Sequence, residues 1–265
     1  MRVTSVPEEA ADRTEAEAVR REMPASRRLR IAGVQMSMGR DPADNLARAL
    51  AHIDRAAARG ADLVVLPELF SRPYFPQHGP DVAALEFAEP IPGPTSDALA
   101  AAAARHGITV VGSVYERVFT GLQFNTAVVL GPDGRLIGRS RKTHIPDERG
   151  YSEKFFFTPG DSDYPVFGLA DGTSLAVATC WDQWFPELAR IVALKGADVI
   201  AYPTAIGSEP DHPDMDTHDA WRTVMRGHAI ANALFVVAVN RVGTEAGLRF
   251  YGGSFIADPL GVVLA

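Results

Sequence analysis

The 265-residue chain carries one cysteine and three lysines. A single thiol, Cys180, excludes an internal disulfide framework and fits a reducing compartment, so a cytoplasmic location is expected. No segment approaches about 20 uninterrupted apolar residues, and the N-terminus lacks the apolar core of a secretory signal; no membrane partner is expected. An excess of basic charge is also missing. Lys and Arg number 26 against 33 Asp and Glu, a net charge of −7. That balance argues against a nucleic-acid surface and suits a small cationic partner. Lysine occurs only at 142, 154 and 195, the remaining permanent cations being arginine. A chain so weighted keeps a lysine where a compact point-charge amine is needed, or by drift.

What is present is ordinary globular material, 46% hydrophobic and 22% charged, enough for a sizeable core. Residues 1–28 are rich in Glu, Arg and Ala without an apolar stripe and read as a flexible, solvated arm, with a transient helix around Ala11–Glu22. From Leu29 the chain repeats itself. Strand 29–36, helix 44–59, strand 63–68, helix 95–106, strand 108–116 and a hairpin over 124–138 form the first half. Strand 174–179, helix 186–195, strand 199–204, helix 217–232, strand 234–240 and a second hairpin from Tyr251 form the second. Gly60-Ala61-Asp62 and Gly196-Ala197-Asp198 lead into equivalent strands. Alternating strands and helices in two copies predict one α/β domain over 29–265 with an internal pseudo-two-fold repeat. The second hairpin stops at Ala265 before its partner strand is complete, so a truncated C-terminal end is expected.

The repeat places three chemically active side chains at element ends. Cys180 follows an apolar strand and precedes a helix that opens near Pro186, where a helix dipole would lower the thiol pKa. A lone cysteine is otherwise an inert buried hydrophobe. Glu68 ends the apolar strand Leu63–Pro67; partial burial there would raise its pKa towards that of a general base. The plainer alternative is a glutamate at the sheet edge. Lys142 lies just past the first hairpin, where an ammonium can stabilise an oxyanion together with a backbone N–H; its alternative is a solvated basic run.

Leu-Pro-Glu-Leu-Phe around Glu68, Arg-Lys-Thr-His-Ile-Pro around Lys142 and Cys-Trp-Asp-Gln-Trp-Phe-Pro-Glu from Cys180 together resemble the carbon–nitrogen hydrolase (nitrilase) superfamily. The resemblance runs from about Leu29 to Ala265. It implies a four-layer α-β-β-α sandwich and a Glu68–Lys142–Cys180 triad, with Glu153 supporting the lysine. It also implies no metal, no cofactor and a homo-oligomer of two subunits or more. Within the superfamily, segments 180–187, 202–210 and 250–257 resemble N-carbamoylputrescine amidases, which implies a small cationic ureido substrate. Glu209 is then the candidate partner for the substrate amine, and Trp181, Trp184 and Tyr151 are candidate walls. Ser71-Arg72-Pro73 departs from that subfamily, and an arginine at the mouth would favour a carboxylate-bearing substrate such as N-carbamoyl-β-alanine. Three rivals remain. A Cys–His pair could draw on His144, His218 or His228; a metal could sit on the Asp211–Asp216 run; or the fold could survive as an inactive binding module.

Overall fold

The computed structural model describes residues 28–265. The arm expected over 1–28, with its transient helix, lies outside the described residues except for Arg28. The first half begins with β1 (Ile31–Gly33), α1 (Pro42–Ala58) and β2 (Leu63–Val65). It continues through α2 (Pro94–His106), β3 (Thr109–Phe119), β4 (Leu122–Leu130) and β5 (Leu136–Arg141). α1 begins two residues before its predicted start because Asp41 caps it, accepting from Ala43 N at 2.8 Å, and Pro42 takes the first turn, where no N–H partner is needed. Its apolar stripe, Ala49, Ile53 and Ala56, recurs every three or four residues and is buried.

A short pair, β6 (Asp147–Glu148) and β7 (Tyr151–Ser152), precedes the second half. That half comprises β8 (Val166–Gly168), β9 (Ser174–Val177), α3 (Pro186–Leu194), β10 (Val199–Thr204) and α4 (His218–Asn232). After these come β11 (Phe235–Asn240), the hairpin β12 (Val242–Glu245) and β13 (Leu248–Tyr251), and β14 (Phe255–Ala257).

Each half builds one five-stranded sheet. The orders are β1-β2-β3-β4-β5 and β14-β11-β10-β9-β8. In both, three consecutive strands run parallel through helical crossovers, β1-β2-β3 in one and β9-β10-β11 in the other. Antiparallel strands complete each sheet. The repeat predicted from the sequence is therefore the repeat of the sheets.

The pleat assigns alternate side chains to two layers. Leu63 and Val65 of β2, Val111 of β3 and Val129 of β4 face Leu175, Val177, Ala201 and Val237 of the other sheet. Their neighbours Val64, Val110 and Val128 point outward, onto Ile53 and Leu99 of the first helix pair. Ile200, Tyr202 and Val236 pack under Leu188, Trp221 and Met225 of the second pair. The result is an α-β-β-α sandwich. Strands sandwiched between a sheet and helices are buried on both faces, which is why β2 and β10 read as unbroken apolar runs.

Among the described residues, no helix is long and apolar enough to cross a membrane. Leu175 is fully buried between the sheets. Leu175→Ala is expected to lower the unfolding free energy by about 2–5 kcal/mol in urea titration.

Candidate active site

The ends of β2, β5 and β9 meet above the seam between the sheets. Glu68, three residues past β2, is completely buried. Its Oε1 accepts from Asn125 Nδ2 at 2.6 Å and from Lys142 Nζ at 2.9 Å, whereas Oε2 has no partner among the described residues. Asn125 sits on β4, beside Ser113 of β3. The Ser113 hydroxyl donates to Asn125 Oδ1 and accepts from Leu69 N, so the turn and the carboxylate are fixed by one relay. Leu69 itself has φ 47°, a left-handed conformation that a leucine adopts only where its surroundings enforce it.

Lys142 follows β5 directly and is 1% exposed. Besides Glu68, its ammonium donates to both oxygens of Glu153, at 2.8 and 2.7 Å. Glu153 opens a short 3₁₀ turn and takes a further bond, at 2.5 Å, from the Tyr74 hydroxyl. Burial works against the Lys142 ammonium, but the Glu153 and Glu68 carboxylates outweigh it and hold its pKa above the ordinary amine range. Burial likewise pushes Glu153 up to about 7, against the pull of Lys142 and with the Glu68 charge adding to the rise. Burial and the Glu153 charge keep the Tyr74 phenol neutral.

Cys180 is 4% exposed and, like Leu69, left-handed, with φ 47°. Its Sγ lies 3.7 Å from Ala205 O. The expected lowering of the thiol pKa is corrected by the structure. Cys180 opens a separate 3₁₀ turn, Cys180–Trp184, and α3 starts only at Pro186, so the thiol does not face a long helix dipole. Burial pushes the thiol up, the Glu68 charge adds to this, and Lys142 only partly offsets them. The resting sulfur is a neutral thiol beside a carboxylate with one free oxygen.

The rest of the Cys180–Trp184 turn has two anchors. The buried Asp182 accepts from Thr179 N at 3.0 Å and His144 N at 2.9 Å, and pairs with His144 Nδ1 at 2.7 Å. The His144 ring lies flat on Phe185, centroids 3.5 Å apart. Asp182 thereby ties the strand end bearing Cys180 to the segment bearing Lys142. Gln183 fastens the turn to α4, accepting from Trp221 Nε1 at 2.8 Å and, through its carbonyl, bonding His228 Nε2 at 2.9 Å. His144 and His228 thus have structural partners, and His218 stacks on Trp221 and meets the Tyr251 ring at a tilt. Among the hydrogen bonds of the described residues, Cys180 has no histidine partner.

Trp181 and Trp184 meet edge to face at 6.5 Å, and Trp184 Nε1 is buried without a partner among the described residues. Tyr151 does more than form a wall. Its hydroxyl accepts from Gly207 N and donates to Ser208 O, each at 3.1 Å, pinning the backbone that leads to Glu209. Glu209 forms no ion pair among the described residues, and burial, with the nearby Glu148 charge, raises its pKa. The phenols of Tyr151 and Tyr251 both lie in the fields of Cys180 and Glu209. Arg72 is otherwise engaged: its guanidinium lies 4.3 Å from the Phe87 ring centroid, in the field of Glu89. In the 211–216 run Asp211 pairs with the exposed Arg149, and among the described residues no three His, Cys, Asp or Glu side chains converge as metal ligands.

Sequence reasoning missed Tyr74, Asn125, Asp182 and Tyr251. Asn125 alone left a signal, a polar amide inside the apolar strand Phe124–Leu130. Tyr74 acquires its contacts from segments distant in sequence, and Asp182 adds His144 to its local bond with Thr179 N.

Residues 30–265 match the family profile described as carbon-nitrogen hydrolase. The N-carbamoylputrescine amidase of Solanum lycopersicum is 41% identical over 252 residues, covering 91% of this chain and 82% of that protein. The citrullinase of Francisella tularensis is 40% identical over 242 residues, covering 89% and 84%. A solved carbon-nitrogen hydrolase from Helicobacter pylori G27 superposes with a TM-score of 0.84 at 35% identity, over 89% of this chain and 84% of that one.

Asp182→Ala is expected to strip buried N–H groups of their acceptor, lowering the unfolding free energy by about 2–3 kcal/mol. Urea titration measures the loss, and hydrogen exchange should speed up at the Thr179 and His144 amides.

Proposed function

We propose that this chain, which belongs to the carbon–nitrogen hydrolase family, hydrolyses the ureido group of N-carbamoylputrescine through a Cys180 acyl-enzyme, releasing putrescine, carbon dioxide and ammonia. One observation carries the chemistry. Glu68 is held on one oxygen by Asn125 and Lys142 and left free on the other, next to a neutral thiol.

In this reading Glu68 Oε2 takes the thiol proton as sulfur attacks the ureido carbon. All three donors of Lys142 are engaged by carboxylates at rest. Once Glu68 is protonated its hold on Nζ weakens, and that donor turns to the oxyanion beside the Trp181 N–H. Glu153 keeps the ammonium in place throughout. Glu68 returns its proton to the departing nitrogen and then activates a water that cleaves the thioester-like bond.

The choice of substrate rests on Glu209. A half-buried carboxylate that forms no ion pair among the described residues, in whose field the Tyr151 and Tyr251 phenols lie, suits an ammonium on a short alkyl stem. The same reading carries over the substrate named for the plant relatives. A carboxylate-bearing ureido compound would bring its negative charge towards Glu209 and Glu148, and Arg72 is committed elsewhere.

Ammonia release from N-carbamoylputrescine, citrulline, N-carbamoyl-β-alanine, a simple amide and a nitrile tests the substrate. Turnover of the cationic compound is expected to lead, and Glu209→Gln should raise its KM about tenfold with little change in kcat. Release from citrulline or N-carbamoyl-β-alanine but not from N-carbamoylputrescine would overturn the substrate assignment.

The pH profile tests the cluster. Glu153 is an acid held up at about 7, so its charge is present above that pH and lost below it. kcat/KM should therefore fall about tenfold per pH unit as pH drops below about 7, and Glu153→Gln should remove that limb while lowering kcat.

A further inference from the structure

Arg241 is the largest charged side chain buried outside the triad cluster, with no exposed surface, and the hydrolytic steps do not use it. It follows Asn240, the last residue of β11, in the half of the molecule that carries Cys180. Its guanidinium nevertheless crosses to the turn that carries Glu68. Nη2 donates to Glu68 O at 2.8 Å and Leu69 O at 3.0 Å, and Nη1 donates to Arg72 O at 3.4 Å. Nη1 is also held by Glu245, at 2.9 and 3.1 Å. Glu245 in turn accepts from Tyr74 N at 2.6 Å. The rings of Tyr74 and Phe250 flank the guanidinium at 5.6 and 5.2 Å.

A buried ion pair is a costly way to stabilise a fold, since apolar side chains of the same volume do as well or better. What this pair supplies is geometry. Three donors in a fixed plane collect the carbonyls of a tight turn whose middle residue, Leu69, is left-handed and strained. The neighbouring Asn240 does the same for the other side. Its amide bonds Ile206 N at 3.1 Å, Ile206 O at 2.9 Å and Gly252 O at 3.0 Å, next to Ala205, whose carbonyl meets Sγ. The end of β11 thus grips both the base turn and the loop beside the nucleophile.

We propose that Arg241, braced by Glu245, is the positioning residue for Glu68: it sets where the free carboxylate oxygen stands relative to the Cys180 sulfur. This rests on the reading of Glu68 as the general base. Lys at 241 preserves the charge but cannot span the two turn carbonyls and Glu245 with planar donors.

The test is a double-mutant cycle between Arg241→Lys and Glu68→Gln, read by steady-state kinetics and by the rate of Cys180 alkylation with iodoacetamide, which needs no substrate. Arg241→Lys is expected to lower kcat about 10- to 100-fold, with KM within about twofold, and to slow alkylation. In the Glu68→Gln background it should change alkylation by no more than about twofold, because the group it positions is already gone. Glu245→Gln, which keeps an acceptor for Tyr74 N, should act in the same sense and more weakly, and decides the matter if Arg241→Lys does not fold. An unchanged kcat in both positioning variants, a parallel loss in KM, or the same slowing of alkylation with and without Glu68 would overturn the proposal and leave the base standing. Unimpaired turnover and alkylation in Glu68→Gln alone would instead overturn the base, and the positioning role with it.

Discussion

The site depends on one buried ammonium. Lys142 sits between two buried carboxylates, and without it Glu68 and Glu153 would be like charges in a medium that solvates neither. With it, the cluster still carries one more negative than positive charge when all three groups are ionised. Burial is the main cause of both the raised Glu153 pKa and the neutral resting thiol, and the Glu68 charge adds to each. A lysine suits this position because its three donors on one nitrogen serve both oxygens of Glu153 and one of Glu68.

Holding such a cluster requires a rigid frame, and the sandwich supplies it. Glu68, Asn125, Lys142 and Glu153 come from one side of the repeat, and Cys180 from the other. The sheets meet through close-packed aliphatic side chains that admit little sliding. Polar ties at the mouth add register to this packing. Ser140 Oγ bonds Val177 O at 2.8 Å, Asp182 reaches His144, Tyr151 reaches Gly207 and Ser208, and Arg241 reaches Glu68. Each joins residues that are far apart in sequence and carry or support a reactive group. Both the turn after Glu68 and the turn opened by Cys180 are left-handed at a non-glycine residue, a local cost that the surrounding bonds offset.

The fold was legible because the periodicities are simple. The doubly buried strand β2 reads as an unbroken Leu-Val-Val run and β10 opens Val-Ile-Ala, α1, α2 and α3 announce themselves by Pro at their first turn, and Gly-Ala-Asp recurs before equivalent strands. Boundaries slipped where apolar sequence outlasts the ladder: the run from Leu63 to Pro67 continues past Val65, where β2 ends, because Leu66 and Pro67 enter the turn that presents Glu68. The electrostatics were less legible. A strand-to-helix turn suggested a dipole-lowered thiol, but five residues of 3₁₀ geometry intervene, and the dominant influence is burial.

Sequence alone determined the two-fold α/β architecture and singled out Cys180, Glu68 and Lys142 by their places at element ends, and the family resemblance added Glu153. Only the tertiary structure decided which oxygen of Glu68 is left without a partner among the described residues, that Tyr74 steadies Glu153, that Tyr151 holds the loop before Glu209, and that Arg241 grips the Glu68 turn from 173 residues away. Those are hydrogen bonds between distant segments, and their geometry exists only once the two sheets have closed on one another.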